Sequence, residues 1–419
     1  MTALTLNASR KTKKTAIGEI PVDWEFRRLE ELVQLNPRRE KQLSDNKVVS
    51  FVPMASVTED GKLVDVHSVP FKKVANGFTY FQNGDVLVAK ITPCFENGKG
   101  TLVQGMIGGI GFGSTEFHVI RPSSKIHTQF LFYHTVSHRF RARGVSSMTG
   151  SAGQKRLPAE YISAYHIALP PLPEQRGIVD VLEAWDRAIE RGEKLLAAKQ
   201  QLKQGLMQGL LTGKTRFKQF RTEKWKVYRL SDLLERVFRP VTLSNETPLD
   251  LISIRRRAGG LFFRGSVTAR EFMTVDLNRI EAGDFLVSKR QVTHGALAMV
   301  RKDFEGMHVS NEYVIFRCRA SDKLHLPFFD WLSRSPRMWH MAYLASNGVH
   351  IEKLIFDADD FLKEKISLPP SLVEQQKIVE VLEASDAEIR LLERELAVLH
   401  DQKRGLMQKL LTGKVRVRG

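Results

Sequence analysis

Cysteine is almost absent from this 419-residue chain, which contains only Cys94 and Cys318. Neither belongs to a C-x-x-C pair, so the sequence supports neither a disulfide scaffold nor a zinc ribbon, and a reducing compartment fits. Long hydrophobic runs are also missing, since no apolar stretch reaches about 18 residues and no basic head precedes an apolar segment at the N-terminus. These absences predict a soluble cytoplasmic protein.

Acidic residues are in deficit, with 47 Asp and Glu against 64 Lys and Arg and a formal net charge of +17 at pH 7. Residues 1–173 and 214–373 each have an excess of +8, whereas residues 174–213 sum to 0 and residues 374–419 to +1. The two basic segments are therefore expected to bind a polyanion. Nucleic acid is the leading candidate, because contacts to its phosphates release counterions and so supply binding affinity. The same sign excludes a DNA-mimicking inhibitor.

An internal repeat with a register of about 200 residues divides the chain. Its strongest part has a Pro-rich lead followed by Glu-Gln, and it ends in Leu-Leu-Thr-Gly-Lys at Lys214 and again at Lys414. Weaker echoes lie in the variable parts, at Gly84–Lys90 and Gly283–Lys289, and at Ser114–Glu116 and Ser310–Glu312. Variable and similar segments alternate along the chain, which predicts one fold used twice. The divergence is concentrated in the segments that would determine specificity.

Each similar segment is predicted to be one long helix, because prolines precede it and an acidic residue stands in its first turn. In the second copy, Ser385 and Lys403 interrupt a four-three apolar spacing that is typical of a coiled-coil seam. The seam residues of that copy are Ile378, Leu382, Ile389, Leu392, Leu396, Leu399, Leu406 and Leu410. The first copy keeps the phase, and we expect Gly192, Lys199 and Lys203 to weaken its middle. Its seam residues are Ile178, Leu182, Trp185, Ile189, Leu196, Leu206 and Leu210.

The length of these helices predicts spacers, since a helix of about 38 residues spans roughly 57 Å. Because a folded unit of about 150 residues connects them, an antiparallel pair would hold the variable units at opposite ends. A coiled coil between two chains is the alternative, and pairing within the chain is favoured because both seams are covalently linked. The predicted domains are a first variable domain at 1–170, spacer helix 1 at 171–213, a second variable domain at 214–369, and spacer helix 2 with a C-terminal tail at 370–419.

The variable units are predicted to be α+β domains. Strands are expected at 48–52, 85–89 and 117–120, and helix-like apolar spacing occurs at 129–139 and 327–332. Base reading needs Arg or Lys for guanine and Asn or Gln for adenine, with Ser and Thr adaptable. The candidate DNA-binding residues are Lys90, Thr92, Ser151, Gln154, Lys155 and Arg156 in the first unit and Arg255, Arg256, Lys289, Arg290, Gln291 and Thr293 in the second. Surface charge or turn chemistry is an equally good reading for any one of them, although Lys90 and Lys289 recur after the same Gly-Asp strand.

Catalytic interpretations find little support in the residues. The stretch Gly209–Thr215 resembles a P-loop, but it has three residues between its glycines and follows a helix. His134 and His138 are one helical turn apart, yet the Glu of H-E-x-x-H and a third ligand are missing, so no metal site is predicted. The chain also lacks the polar-Pro-Pro-aromatic motif expected of an adenine methyltransferase. No catalytic residue is therefore predicted.

Two divergent basic units that alternate with two similar helices, each helix introduced by Leu-Pro-Pro and Glu-Gln and ended by Leu-Leu-Thr-Gly-Lys, resemble the specificity subunit of type I restriction-modification systems. The resemblance covers almost the whole chain and is strongest in the helices. It implies an α+β fold with a pseudo-twofold repeat, in which two target recognition domains are separated by a pair of long antiparallel coiled-coil helices. Each domain is then expected to read one half of an asymmetric, interrupted DNA site, with the helices setting the gap.

The resemblance also implies partners beyond double-stranded DNA. Two methyltransferase subunits and two restriction or translocase subunits are expected, and S-adenosylmethionine, ATP and Mg²⁺ would belong to those subunits, with no cofactor in this chain. The methyltransferase subunits would dock near the similar segments. The candidate partner-binding residues are Glu174, Gln175, Gly205, Leu206, Glu374, Gln375, Gly405 and Leu406.

Two other hypotheses compete with a non-catalytic DNA-recognition subunit. One is a free-standing restriction or modification enzyme with an unrecognised active site. The other is a coiled-coil scaffold whose basic surfaces are incidental, which salt-insensitive or absent DNA binding would favour.

Overall fold

The computed structural model describes residues 5–8, 11–39, 43–151, 153–241, 248–268, 276–350 and 354–418. The chain forms two compact units: unit 1 contains residues 1–194 and 394–419, and unit 2 contains residues 195–393. Each unit therefore combines one variable segment with part of both long helices.

Unit 1 is built largely from short strands. They are β1 (Thr5–Ala8), β2 (Thr12–Thr15), β3 (Gly18–Pro21), β4 (Glu25–Arg28), β5 (Val33–Leu35), β6 (Val48–Val52), β7 (His67–Pro70), β8 (Thr79–Gln82), β9 (Val86–Ala89), β10 (Gly100–Leu102), β11 (Ile110–Gly113), β12 (Phe117–Pro122) and β13 (His166–Leu169). One antiparallel sheet has the order β10-β9-β12-β5, and a mixed sheet has the order β7-β6-β11-β8, in which β6 and β11 are parallel. The branched residues of β9 favour a strand, and β9 is buried along its whole length between its two neighbours in the first sheet.

Four helices follow the sheets of unit 1 in the chain. They are α1 (Thr128–Val136), α2 (His138–Ser147), α3 (Ala159–Ala164) and α4 (Leu172–Leu210), and the last continues into unit 2. Ser137 separates α1 from α2, because its side chain accepts a hydrogen bond from the backbone of Phe140 and so caps the second helix.

Unit 2 repeats the same plan. Its strands are β14 (Lys226–Arg229), β15 (Leu234–Val237), β16 (Pro240–Val241), β17 (Leu249–Ile254), β18 (Leu261–Val267), β19 (Leu277–Arg279), β20 (Asp284–Ser288), β21 (Leu297–Met299), β22 (His308–Ser310), β23 (Tyr313–Cys318), β24 (Ser346–Asn347), β25 (Ile355–Phe356) and β26 (Lys365–Leu368). The sheet β15-β23-β20-β21 corresponds to β5-β12-β9-β10 of unit 1. The sheet β16-β19-β22-β17-β18 contains a parallel pair, β17 and β22, at the place of β6 and β11.

The helices of unit 2 complete the repeat. They are α5 (Leu326–Ser333), α6 (Pro336–Leu344), α7 (Ala358–Lys363) and α8 (Leu372–Leu410), and the last continues into unit 1. Ser335 caps α6 as Ser137 caps α2. A final strand, β27 (Val415–Arg418), belongs to unit 1 and pairs antiparallel with β1. This repeated mixed architecture confirms the predicted α+β fold with an internal repeat.

The ends of the long helices are part of the hydrophobic core of each unit. In unit 1, Ile178 and Leu182 near the start of α4 pack in one cluster with Leu410 near the end of α8. In unit 2, Ile378 and Leu382 near the start of α8 share a cluster with Leu210 at the end of α4. Within each unit the start of one helix therefore lies beside the end of the other, which confirms the predicted antiparallel pairing.

The three residues that were expected to weaken the seam of α4 are matched by their neighbours. Gly192 makes room for Leu396, since a Cβ at position 192 would lie 2.7 Å from a methyl carbon of that leucine. The ammonium group of Lys199 lies 2.6 Å from Glu388, and Lys203 forms an ion pair with Asp386. Each of the three residues therefore faces a partner on α8, and the expected weakness of this part of the seam stays a prediction.

No helix in the described part of the chain combines the length and the apolar character needed to cross a membrane.

Candidate nucleic-acid interface

In unit 1 the structure brings together the two segments that supply the predicted DNA-binding residues. Lys90 and Thr92 follow β9, and Ile91 between them forms an antiparallel β-bridge with Arg156, which also bridges Thr149. The backbone of Thr92 donates to the carbonyl of Lys155 at 3.0 Å, and the backbone of Leu157 donates to the carbonyl of Lys90 at 2.7 Å. Lys90, Thr92, Lys155 and Arg156 therefore lie together, and Ser151, Gln154 and Lys155 of the same loop are exposed.

A glutamate organises this cluster. The guanidinium of Arg156 binds both carboxylate oxygens of Glu116 at 2.9 and 3.0 Å, and the backbone of Lys90 donates to the Glu116 carbonyl at 2.9 Å. The hydrogen bond from Arg156 lowers the pKa of Glu116, so this carboxylate stays ionised. Arg156 is thereby held in one direction, although nearly half of its side chain remains exposed.

Unit 2 forms the corresponding cluster at the end of β20. Lys289 and Arg290 follow this strand, and the turn that contains Arg255 and Arg256 is tied to the same place by a 2.7 Å bond from the Arg257 backbone to the His294 carbonyl. Arg255 and Arg256 are exposed, and the Arg255 guanidinium lies 4.8 Å above the ring of Phe262. Arg290 binds Glu312 at 2.7 Å, and the backbone of Lys289 donates to the Glu312 carbonyl.

The side chains of Gln291 and Thr293 have a different setting from the other candidates. The Oε1 atom of Gln291 and the Oγ1 atom of Thr293 are buried and have no hydrogen-bond partner among the described residues. Reading a base with either atom would require the side chain to rotate toward the surface.

Sequence reasoning noticed Glu116 and Glu312 only as members of the Ser-x-Glu echo and assigned them no part in a site. The structure gives that echo a physical reason, because each glutamate anchors the lysine after the central strand and one arginine of the cluster. The echo was the signal that could have identified them.

The aspartates of the repeated Gly-Asp pair stabilise the strands that lead to these clusters. Buried Asp85 accepts two hydrogen bonds of 2.8 Å from Arg121, and buried Asp284 accepts bonds of 2.7 and 3.2 Å from Arg239. Each aspartate also accepts a hydrogen bond from the backbone three residues earlier. A paired and fully bonded buried carboxylate has a structural explanation without a metal ion.

A polar pocket of unit 2 beside Lys289 escaped the sequence analysis. It has a volume of about 270 Å³, and its lining includes Asn278 and Asn311, whose amides can read base edges, together with Phe238. The ring of Phe238 is 63% exposed and lies under the guanidinium of Arg236 at 4.4 Å. An exposed aromatic ring beside basic and amide groups is suited to stacking on a base.

The repeated Glu-Gln pair acts inside each unit. Gln175 accepts a 2.7 Å hydrogen bond from the His127 backbone, and Gln375 accepts one of 2.8 Å from the His325 backbone. Each amide nitrogen also donates to two backbone carbonyls, which fixes the helix start to the loop before α1 or α5.

The glutamates of this pair bind arginines that follow the opposite helix. Arg416 donates to Glu174 at 2.9 Å, and Arg216 donates to Glu374 at 2.8 Å. These buried bonds explain why Glu174, Gln175, Glu374 and Gln375 repeat, and they give no support to a direct contact with a partner. Among the other predicted partner-binding residues, Gly205 and Gly405 are exposed and Leu206 and Leu406 are half-buried, and their role stays a prediction.

A metal site is not formed by the candidate histidines. His134 is buried and burial lowers its pKa to about 3, whereas His138 is exposed. In the ranges that the structure describes, no group of three or more His, Cys, Asp or Glu residues could hold a metal ion.

The described residues form two copies of one mixed fold, each with a basic cluster at the end of the equivalent strand, which is the architecture of a protein with two similar domains. The chain belongs to the family of the type I restriction modification DNA specificity domain, whose model matches residues 21–199 and again residues 222–400. This membership confirms the resemblance inferred from the sequence. Proteins of this class are the DNA-recognition components of their systems and not the catalysts.

Comparison with individual proteins agrees with the family. The chain is 42% identical over 165 residues to the type I restriction enzyme EcoEI specificity subunit of Escherichia coli, an alignment that covers 38% of this chain and 27% of that protein. It is 36% identical over 228 residues to the EcoAI specificity subunit of the same organism, covering 52% of this chain and 38% of that protein. These alignments span less than half of the length of the two relatives.

A solved structure reproduces the fold over nearly the whole chain. The HsdS subunit from Thermoanaerobacter tengcongensis matches with a TM-score of 0.53 and 18% identity, covering 96% of this chain and 100% of that one. At this identity the likeness shows the fold alone.

Proposed function

We propose that each unit reads one half of an asymmetric, interrupted site in duplex DNA. The observation that carries this proposal is the repeated strand end, which delivers Lys90 in unit 1 and Lys289 in unit 2 into a basic cluster. The surrounding loops differ, with Ser151, Gln154 and Lys155 in one unit and Arg255 and Arg256 in the other. The lysines at equivalent positions contact phosphates in both units, and the side chains that differ between the two units read different bases.

The long helices set the gap between the two half-sites in this proposal. Each is 39 residues long, and each contributes residues to both units. Their paired charges and neutral balance suit a spacer that contributes little to DNA affinity.

The chemistry belongs to partner subunits in this proposal. Two methyltransferase subunits dock on the chain with S-adenosylmethionine, and two restriction or translocase subunits supply ATP- and Mg²⁺-dependent cleavage. The complex acts in the cytoplasm, which is compatible with the two free cysteines.

Half-site reading is tested by selecting bound duplexes from a randomised library and sequencing them. Gln154→Ala should relax the sequence of one half-site only, and Arg256→Ala should relax the other, because each lost base contact is worth about 1–3 kcal/mol at its own position. Gln219→Ala, at an exposed glutamine outside both clusters, is the matched control. If either reading variant relaxes both half-sites together, the units do not read separately.

The free-standing enzyme is tested with the purified chain alone. Incubated with target duplex, Mg²⁺, ATP and S-adenosylmethionine, it should neither cut nor methylate the DNA, as followed by gel electrophoresis and by transfer of a radiolabelled methyl group. Cleavage or methylation activity that co-purifies with the chain, and not with contaminants, would contradict the proposal that the chain is a recognition subunit.

A further inference from the structure

Each unit contains a cleft between the last turn of a long helix and the start of a short helix. The cleft of unit 1 has a volume of about 510 Å³, and the cleft of unit 2 has a volume of about 400 Å³. The two clefts share six wall residues at equivalent repeat positions, and these are Ser137, Arg139, Met407, Gln408, Leu411 and Thr412 in unit 1 and Ser335, Arg337, Met207, Gln208, Leu211 and Thr212 in unit 2. The DNA-reading clusters use none of these positions.

Several buried polar atoms at these clefts lack a hydrogen-bond partner within the described part of the chain. In unit 1 the Nε2 atom of His134 and the Nη2 atom of Arg139 are buried without a hydrogen-bond partner, and His134 as a whole is only 5% exposed. In unit 2 the Nε1 atom of Trp225 is unpartnered, whereas its repeat equivalent in Trp24 donates to Glu174 at 3.0 Å. A buried hydrogen-bond donor without an acceptor destabilises the fold. An acceptor group supplied by another molecule would therefore stabilise both clefts.

The helix that forms each cleft leaves space for a second backbone beside it. Gly205 and Gly405 precede the wall glutamines Gln208 and Gln408 by one turn, and a Cβ at either glycine would meet no atom within 4 Å. An interior helical glycine costs about 1 kcal/mol relative to alanine, and neither position is required by a contact within its unit. Because these glycines have no side chain, both positions leave room for the backbone of another chain to pack closely against the helix.

We propose that the two clefts bind two copies of one partner protein, each inserting a large apolar side chain with a carboxylate next to it. The inference rests on the proposed function, in which the partner is the methyltransferase subunit. Identical wall residues in the two units call for the same occupant in both. The flexible Met207 and Met407 side chains adapt to an apolar group, and the unpartnered donors match a carboxylate.

Outside the six shared positions the walls of the two clefts differ. His134, His138 and Arg404 of unit 1 stand where unit 2 has Leu332, Pro336 and Gln204. The charged wall residues nevertheless balance to the same formal charge in both clefts. Arg139, Arg404 and Lys414 stand with Glu19 in unit 1, and Arg334 and Arg337 line the cleft of unit 2, so a rising salt concentration should release both copies over the same range.

The test uses the complex purified with its methyltransferase subunit, with the number of copies per chain counted by native mass spectrometry. Gln208→Trp and Gln408→Trp place a large ring at the exposed rim of one cleft each. Each variant should lose one copy, and the double variant should lose both. Gln219→Trp, an exposed glutamine outside the clefts, should keep both copies. Duplex affinity, measured by fluorescence anisotropy, should stay unchanged in all of them and reports that each variant is folded.

A second variant tests the unpartnered donor without blocking the cleft. Arg139→Leu should weaken the copy bound to unit 1 by about tenfold and leave the other copy unaffected. A double tryptophan variant that keeps two copies and normal DNA affinity would overturn the cleft proposal alone, as would loss of duplex affinity with the copies retained. A wild-type chain that binds DNA but no methyltransferase subunit would overturn both this inference and the proposed function.

Discussion

His134 shows how one residue gives a unit its pH response. Its ring is buried at the end of α1, and burial lowers its pKa to about 3 from the ordinary value of 6.5. Between these two values the unfolded chain binds a proton that the folded chain excludes. The free energy of unfolding therefore rises with pH in this window, and stability is lost as pH falls from about 6.5 toward 3.

Replacing this histidine by the residue at its repeat equivalent, Leu332, should remove the response. In the wild type, protonation linked to His134 is expected to lower the free energy of unfolding by about 2 kcal/mol between pH 7 and pH 5, and His134→Leu should show a drop smaller by this amount. Urea unfolding at the two pH values measures the difference. His67→Leu, at an exposed histidine, is the matched control and should behave as wild type. An undiminished drop in His134→Leu would mean that the ring is protonated in the folded chain.

Residues of the candidate site could be predicted from the sequence where their position after a repeated strand indicates their place in the fold. Lys90 and Lys289 were recognisable because each follows a repeated Gly-Asp strand, and the structure places each in a basic cluster. Glu174 and Gln375 show the opposite case. Their repetition is equally clear in the sequence, but whether a repeated polar residue faces a partner or a buried backbone depends on tertiary contacts that a one-dimensional pattern does not contain.

Among the elements, the long helices were the most predictable and the variable sheets the least. A periodic apolar pattern over 39 residues leaves few alternatives, whereas strands of three to six residues in unit 1 are short enough for their pairing to depend on distant partners. The parallel pairing of β6 with β11 illustrates this point, because no local signal connects Val48–Val52 with Ile110–Gly113. The partners of the α4 seam lysines could not be read from α4 alone, because the acidic residues that pair with them lie on α8.

Glycines in the two helices have opposite expected effects on stability. Gly205→Ala and Gly405→Ala should each raise the free energy of unfolding by about 0.5–1 kcal/mol, because the added methyl group meets open space and the helix loses a flexible residue. Gly192→Ala is the control on the same helix, and its gain should be offset because the new Cβ would crowd Leu396. Urea denaturation of the three variants at one pH gives the comparison, and a loss of stability in Gly205→Ala would show that the glycine is needed within the chain itself.

At the scale of the whole molecule, one fold used twice accounts for charge, sequence repeat and structure together. The basic excess of +8 falls in each variable segment, and each of these segments contributes the basic cluster of its unit. The repeat was readable from the chain because the helices retained their residues, while the sheets kept the fold and changed many of their side chains. Which bases those side chains read depends on atomic placement against a duplex, which lies beyond any sequence pattern.

The central claim, that the paired helices set the distance between two half-sites, is tested most directly by lengthening both of them. One heptad inserted between Lys194 and Leu195 and another between Glu393 and Arg394 keeps the antiparallel pairing in register. The insertion adds about 10 Å, so the unread gap in the selected DNA sequence should grow by about three base pairs while both half-sites stay the same. An unchanged gap in a folded variant that still binds DNA would contradict the account.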